Sequence, residues 1–324
     1  MTDTASEPSK LPDFVIVGAM KAGTSSMHSI LAAHEDVFIP DSEIFFFDLD
    51  DPESHHDFQV APDGSWNPRD FEENFDRNLE WYESFFEPAD DDALIGEDST
   101  TYLVSREAPE RIARVLDEPK CIVMMRDPAD RAYSHYWHLL RSGRATRSFE
   151  EYLRQMPHGL LKFGFYQDHL ERYLEHFDRD DIKCVVFERF VEDNQQVVDE
   201  VCGFLGLEGT VAVDSVDMNK NAARVPRSSS MKQFFNKIDP TREDFRYTSH
   251  LPGPEVEESG VNPLRQARRF VHNIFDDASM VAAREDYPPM DEDTRTFLAT
   301  LFRRRNSGLS EIVGRDLTKW WSIW

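Results

Sequence analysis

A parallel β-sheet flanked by helices, followed by a mainly helical C-terminal part, is the α/β architecture this chain of 324 residues predicts. Three observations carry the prediction. Short runs of nearly continuous apolar, β-rich character occur at Phe14 to Val17, Ala93 to Gly96, Cys121 to Met125 and Ile182 to Phe187, the pattern of strands buried on both faces of a parallel sheet. Helical patterns lie between them: Thr24 to Ala33, Ala108 to Leu116, Pro128 to Leu140, Tyr166 to Phe177 and Gln195 to Leu205. Beyond Asp214 no strand is predicted, only helical runs at Leu264 to Phe275, Asp291 to Arg304 and Leu309 to Val313. Strand and helix in alternation give right-handed crossovers, and ligands of such sheets bind beyond the carboxyl ends of the strands.

The first strand runs into Gly18-Ala-Met-Lys-Ala-Gly-Thr-Ser-Ser26, a small-residue turn that opens the first helix. Unpaired N–H groups and the helix dipole make such a turn a cradle for phosphate or sulfate; the plainer reading is an ordinary strand-to-helix turn. Gly18 and Gly23 have the span of the nucleotide-triphosphatase P-loop, so the sheet is P-loop-like. The Lys after the second Gly is missing, however: Thr24 follows Gly23 and the only lysine of the loop is Lys21.

The third apolar run ends at Arg126-Asp127-Pro128. Pro128 suits a first helical turn, where its missing N–H has no intrahelical partner to lose. Arg126 leaves the strand at its carboxyl end, and Ser134 lies about two turns into the next helix. A guanidinium and a hydroxyl so placed hold one phosphate, unless the Arg simply pairs with a neighbouring Asp. His135 and His138 share a helix face, but no nearby carboxylate or Cys completes a ligand set, so no metal is expected.

Composition narrows the setting. The net charge of −26 repels nucleic acid and anionic lipid heads in dilute buffer. Such self-repulsion is relieved by salt, which makes a halophilic source the simplest account of so acidic a protein, a merely acidic mesophilic one being the alternative. Cys121, Cys184 and Cys202 are odd in number, far apart and in apolar contexts, which favours reduced intracellular thiols over disulfides or zinc. The apolar runs are too short to cross a bilayer and the N-terminus is acidic, so a soluble, cytoplasmic protein is expected. Residues 1–10 are polar and expected to be flexible, and 11–324 to form a single domain with no linker or repeat. Trp320, Trp321 and Trp324 either close over the core or form an exposed patch.

The loop with Lys21 ahead of Gly23-Thr24 resembles the 5′-phosphosulfate loop of sulfotransferases, and Arg126-x₇-Ser134 resembles their 3′-phosphate motif, most closely in the heparan-sulfate and bacterial glycan branches. Leu79-Glu-Trp-Tyr-Glu-Ser-Phe85, Gly96-Glu-Asp-Ser-Thr-Thr-Tyr102, Gly164-Phe-Tyr-Gln-Asp-His-Leu-Glu-Arg-Tyr-Leu174, Phe187-Glu-Arg-Phe-Val-Glu-Asp193 and Gly314-Arg-Asp-Leu-Thr-Lys-Trp320 extend the likeness over nearly the whole chain.

The resemblance implies an enzyme that moves a sulfuryl group from 3′-phosphoadenosine 5′-phosphosulfate to a hydroxyl or amine of a carbohydrate or glycolipid, leaving adenosine 3′,5′-bisphosphate. Lys21 would stabilise the bridging oxygen as its bond to sulfur breaks. Ala22, Gly23, Thr24, Ser25 and Ser26 would hold the 5′-phosphate, and Arg126 and Ser134 the 3′-phosphate. Glu43, in Asp41-Ser-Glu-Ile-Phe-Phe-Phe-Asp48, matches the Lys-Glu-x-x-Phe-Phe segment whose Glu takes the acceptor proton, with Ser42 in place of the Lys; a solvated loop acid is the plainer reading, and His28 and His135 are reserve bases. Asp98 stands where the family often has a second Lys, and Thr100 where it has a Pro. Asp98 is expected to pair with an Arg. Arg224 and Arg227 loosely match a basic loop that closes on the nucleotide. Arg265, Arg268, Arg269 and Arg303 to Arg305 read as solvated salt-bridge formers. The competing readings are a P-loop-type nucleotide kinase or hydrolase, which the missing loop Lys and the lack of a clear strand-end acid for magnesium disfavour, and a non-catalytic nucleotide- or glycan-binding module.

Overall fold

A computed structural model describes residues 10–59, 65–216, 226, 228–238 and 287–322. Five strands form one sheet in the order β2-β3-β1-β4-β5, with every neighbouring pair parallel. They are β1 (Phe14–Gly18), β2 (Val37–Phe38), β3 (Leu94–Asp98), β4 (Lys120–Met125) and β5 (Ile182–Val186). β1 is central and wholly buried. Its Ile16 lies opposite Asp98 on one side and Ile122 on the other. The carboxyl ends of β1, β3 and β4 therefore meet along one edge, and the site is built there.

The helices that follow these strands include α1 (Thr24–Leu31), α2 (Phe75–Glu83), α3 (Ala108–Val115), α4 (Pro128–Arg141), α5 (Phe149–Gln155), α6 (Pro157–Leu161), α7 (Tyr166–Tyr173), α8 (Phe187–Glu192), α9 (Asn194–Leu205) and α10 (Ser229–Ile238). Two more, Glu292–Arg305 and Leu309–Val313, complete the described part of the tail.

Each strand and helix expected within the described residues is present, with small shifts at the ends. Phe187 begins α8 rather than ending β5, and the helix expected to reach Phe177 stops at Tyr173. β2 was not anticipated; two residues are too few to show a period. α5 also went unread, although Ser148 and Glu151 form a capping box, a signal present in the sequence. The helical run at Leu264 to Phe275, Trp324 and residues 1–9 lie outside the described residues.

One continuous hydrophobic core runs from the strands through α1, α4 and α7 to Leu298, Phe302 and Trp321. Trp321 packs against Tyr166 and donates its indole N–H to Glu188, so this tryptophan closes over the core. Cys121, Cys184 and Cys202 are free thiols at separate places in it.

Candidate active site

The cradle is made by backbone geometry. Gly18 has φ +126° and Gly23 φ +94°, both in the range that L side chains rarely adopt. A Cβ at Gly18 would sit 2.5 Å from the Thr100 carbonyl oxygen, and one at Gly23 would sit 2.7 Å from the Phe187 ring. Lys21 is also left-handed, with φ 69°. Ala22 donates back to the Ala19 carbonyl and Ser26 to that of Gly23, which closes the turn. The N–H groups of Lys21, Gly23, Thr24 and Ser25 are left without partners among the described residues. At the start of a helix such donors suit a tetrahedral anion.

Lys21 makes no ion pair or hydrogen bond among the described residues. Burial, then the positive charges of Arg141 and Arg126, lower its ammonium to about 8, against the pull of Glu43. Lys21 thus lies in the field of two further cations and one carboxylate. Arg141 did not stand out in the sequence, because it lies seven residues beyond Ser134 with no motif of its own.

Arg126 leaves β4 with its backbone clasped by Tyr166, whose hydroxyl accepts from the Arg126 N–H at 3.2 Å and donates to its carbonyl at 2.9 Å. Its guanidinium lies 4.9 Å from the centre of the Phe187 ring and has no carboxylate partner among the described residues. The neighbouring Asp127 is engaged elsewhere: one oxygen caps α4 by accepting from Ala129 and Asp130, and the other accepts from the N–H and hydroxyl of Ser322. The plainer expectation for Arg126, a pair with an adjacent Asp, is therefore not what the structure shows. Phe187 lies against both Gly23 and the Arg126 guanidinium. Ser134 is buried on α4 with its hydroxyl 3.2 Å from that of Tyr287. From the same helix the buried Arg131 donates to the carbonyls of Met20 and Leu160, tying α4 to the cradle.

Glu43 is half-buried, not a solvated loop acid. Its Oε1 accepts from the Thr100 N–H at 2.9 Å and from the Thr100 hydroxyl at 2.6 Å. A proline at that position would supply neither donor. Burial, then the negative charge of Asp98, push Glu43 up to about 7, opposed by the Thr100 hydrogen bonds and by His55.

Among the described residues Asp98 does not pair with an arginine. It ends β3, and its Oδ2 lies 3.5 Å from His28 Nδ1 on α1, so one of the reserve bases is its partner. Burial holds the Asp98 carboxyl above its usual range, with His28 opposing. Because β3 extends past Gly96, Asp98 is a strand-end acid beside β1 after all, but a buried one held by an imidazole. His135, the other reserve, is buried against Phe163 and held well below its usual range by burial and by Arg131.

His55 is a residue that sequence reasoning missed. Its Nε2 lies 3.0 Å from Asp48 and 3.2 Å from the Thr101 hydroxyl, and its ring stacks on Phe58. Nothing in the local sequence marks it, since its partners come from three separate turns.

Arg224 and Arg227 lie outside the described residues, as do Arg265, Arg268 and Arg269. Among the described residues no group of three or more His, Cys, Asp or Glu side chains could hold a metal ion, and no helix is long and apolar enough to cross a membrane.

A parallel sheet with an anion cradle after its central strand, and beyond the neighbouring strand an arginine with no carboxylate partner among the described residues, is an arrangement suited to group transfer from an anionic donor. The sulfotransferase domain family matches residues 11–237, and the chain belongs to that family. It is 26% identical over 96% of its length to the human bifunctional heparan sulfate N-deacetylase/N-sulfotransferase 3, of which the match covers 31%. It is 29% identical over 65% of its length to the human heparan sulfate glucosamine 3-O-sulfotransferase 3B1, of which it covers 50%. The chain thus spans 31% to 50% of the length of these relatives. Among solved structures, a sulfotransferase from Alicyclobacillus acidocaldarius matches with a TM-score of 0.61 and 25% identity, covering 96% of this chain and 99% of that one.

Proposed function

We propose that residues 11–324 act as one domain that transfers the sulfuryl group of 3′-phosphoadenosine 5′-phosphosulfate to a hydroxyl or amine of a carbohydrate or glycolipid acceptor. The observation that carries this reading is the Lys21 ammonium, which has no ion pair or hydrogen bond among the described residues, set in a cradle of N–H groups that also lack partners among them and within electrostatic reach of Glu43. Its support is chemical. In-line transfer from phosphosulfate needs a cation where charge grows on the departing phosphate, and a base where the acceptor loses its proton. Lys21 and Glu43 come from separate segments and supply one of each.

In this reading the N–H groups of the cradle, with Thr24, Ser25 and Ser26, hold the 5′-phosphate. Arg126 and Ser134 hold the 3′-phosphate, and Arg224 and Arg227 supply further phosphate contacts to the nucleotide. Glu43 takes the acceptor proton through Oε2 while Thr100 fixes Oε1. Lys21 meets the growing charge on the bridging oxygen, and because that interaction is strongest in the transition state it accelerates the step. No metal is required, since cations and backbone dipoles carry the charge. A cytoplasmic setting fits three reduced thiols spread through the core.

Calorimetry with adenosine 3′,5′-bisphosphate against ATP tests the donor: tight binding of the bisphosphate and weak binding of ATP are expected, and the reverse would favour a kinase. Incubation with sulfate-labelled donor and a panel of glycans, read by mass spectrometry, tests transfer and excludes a binding-only module. Lys21→Ala should lose about 10²–10³-fold in turnover, the scale of removing one transition-state charge partner, with bisphosphate affinity largely kept.

A further inference from the structure

A second, wholly buried carboxyl, Glu97, is linked through two hydroxyls to the segment that follows Glu43. Residues 44–47 follow Glu43 and turn through Phe45, whose φ of 60° is left-handed and costly for an aromatic residue. What holds that turn is a set of backbone N–H groups donating to side-chain hydroxyls. Ser99 Oγ accepts from the N–H of Ile44 at 3.2 Å and of Phe45 at 3.0 Å. The Tyr102 hydroxyl accepts from the N–H of Phe47 at 3.3 Å.

A hydroxyl has one proton, so it serves as a dependable acceptor only if that proton is committed elsewhere. Here both are committed to Glu97: Ser99 Oγ donates to its Oε1 at 2.8 Å and Tyr102 at 2.6 Å, while Tyr82 on α2 donates to Oε2 at 2.5 Å. Glu97, Tyr82, Ser99 and Tyr102 are all inaccessible to solvent or nearly so. The aromatic rings reinforce the arrangement, Phe46 stacking on Tyr82 at 4.3 Å and Phe47 meeting the edges of Tyr82 and Tyr102.

From this geometry we infer that Glu97 is a positioning residue for the base: by taking the protons of Ser99 and Tyr102 it fixes their lone pairs on residues 44, 45 and 47, and so fixes Glu43 against Thr100. The inference rests on the proposed role of Glu43. Glu97 touches no reacting group and works only through the two hydroxyls.

The test uses the full chain with Ser99→Ala, Tyr102→Phe, Glu97→Leu and Glu97→Gln. Three readouts are taken: turnover on a glucosamine-containing oligosaccharide, calorimetry with adenosine 3′,5′-bisphosphate, and NMR titration of the Glu43 carboxyl in carbon-13-glutamate-labelled protein. The groups facing Glu43 are Asp98, Thr100, His55 and Lys21, and none of them is altered. Ser99→Ala, Tyr102→Phe and Glu97→Leu should each lower turnover tenfold or more, leave bisphosphate affinity within twofold, and move the Glu43 titration below about 7 as the carboxyl gains water. Glu97→Gln keeps an oxygen for both hydroxyls and should recover most of what Glu97→Leu loses. Unchanged turnover and titration in Ser99→Ala and Tyr102→Phe, alongside an inactive Glu43→Gln, overturns this inference alone. Loss of bisphosphate affinity in step with turnover also overturns it, because the network would then be a general structural support. Absence of transfer by the unaltered chain overturns the sulfuryl-transfer reading, and the titration still decides whether Glu97 aims Glu43.

Discussion

Lys21 and Glu43 have proton affinities drawn toward each other from opposite ends of the scale, one down to about 8 and the other up to about 7. Their causes differ. Lys21 is lowered first by burial and then by two arginines, and Glu43 is raised first by burial and then by Asp98. In the proposed mechanism the working state has Glu43 deprotonated and Lys21 protonated. Activity therefore falls below about pH 7 as Glu43 takes up a proton, and above about pH 8 as Lys21 loses one, so kcat/KM, which reports the free enzyme, should follow a narrow bell between those limits. Bound donor phosphates favour the ammonium, so the alkaline limb of kcat should lie higher than that of kcat/KM. Lys21→Arg, whose side chain does not deprotonate in this range, should remove the alkaline limb altogether; a limb that persists assigns it to another group. Thr100 belongs to the same scale. Its N–H and hydroxyl offer the base two donors, while Asp98, two residues earlier, raises the base.

At the scale of elements, the turn between β1 and α1 is the most constrained piece of the molecule. Gly23→Ala combines a positive φ with a Cβ driven into Phe187, a ring that also carries the Arg126 guanidinium. It should cost about 1–3 kcal/mol of stability and weaken bisphosphate binding at both pockets, measured by thermal melts and calorimetry; a variant that binds normally would show that the ring is not shared.

Much of this scale was legible in the sequence. The strands and the helices that follow them are marked by unbroken apolar runs and capping residues, and Lys21, Arg126 and Ser134 stand at fixed places relative to them. What could not be read were contacts between segments distant along the chain. The pairing of Asp98 with His28, the commitment of Asp127 to Ser322, and the placement of His55 beside Asp48 and Thr101 each depend on how separate turns pack. Read from the sequence, β3 ends two residues short because Glu97 and Asp98 are acidic, yet both are buried.

For the whole molecule, 62 acidic against 36 basic residues set a strong self-repulsion. The described ion pairs offset it only in part. Several, such as Arg114 with Glu72 and Lys319 with Glu192, are exposed and contribute little. Salt shortens the Debye length from about 8 Å at physiological strength to about 3 Å at 1 M, so the melting temperature should rise as KCl goes from about 0.1 to 2 M. A fall would remove the halophilic reading. The same scale gives Asp127 a role beyond its helix. Its carboxylate grips Ser322, 195 residues away, and Trp321 beside it grips Glu188. Shortening the protein before those two residues would loosen the first turn of α4 and slacken Arg126, so a deletion remote in sequence should register as weakened hold on the adenosine's far phosphate.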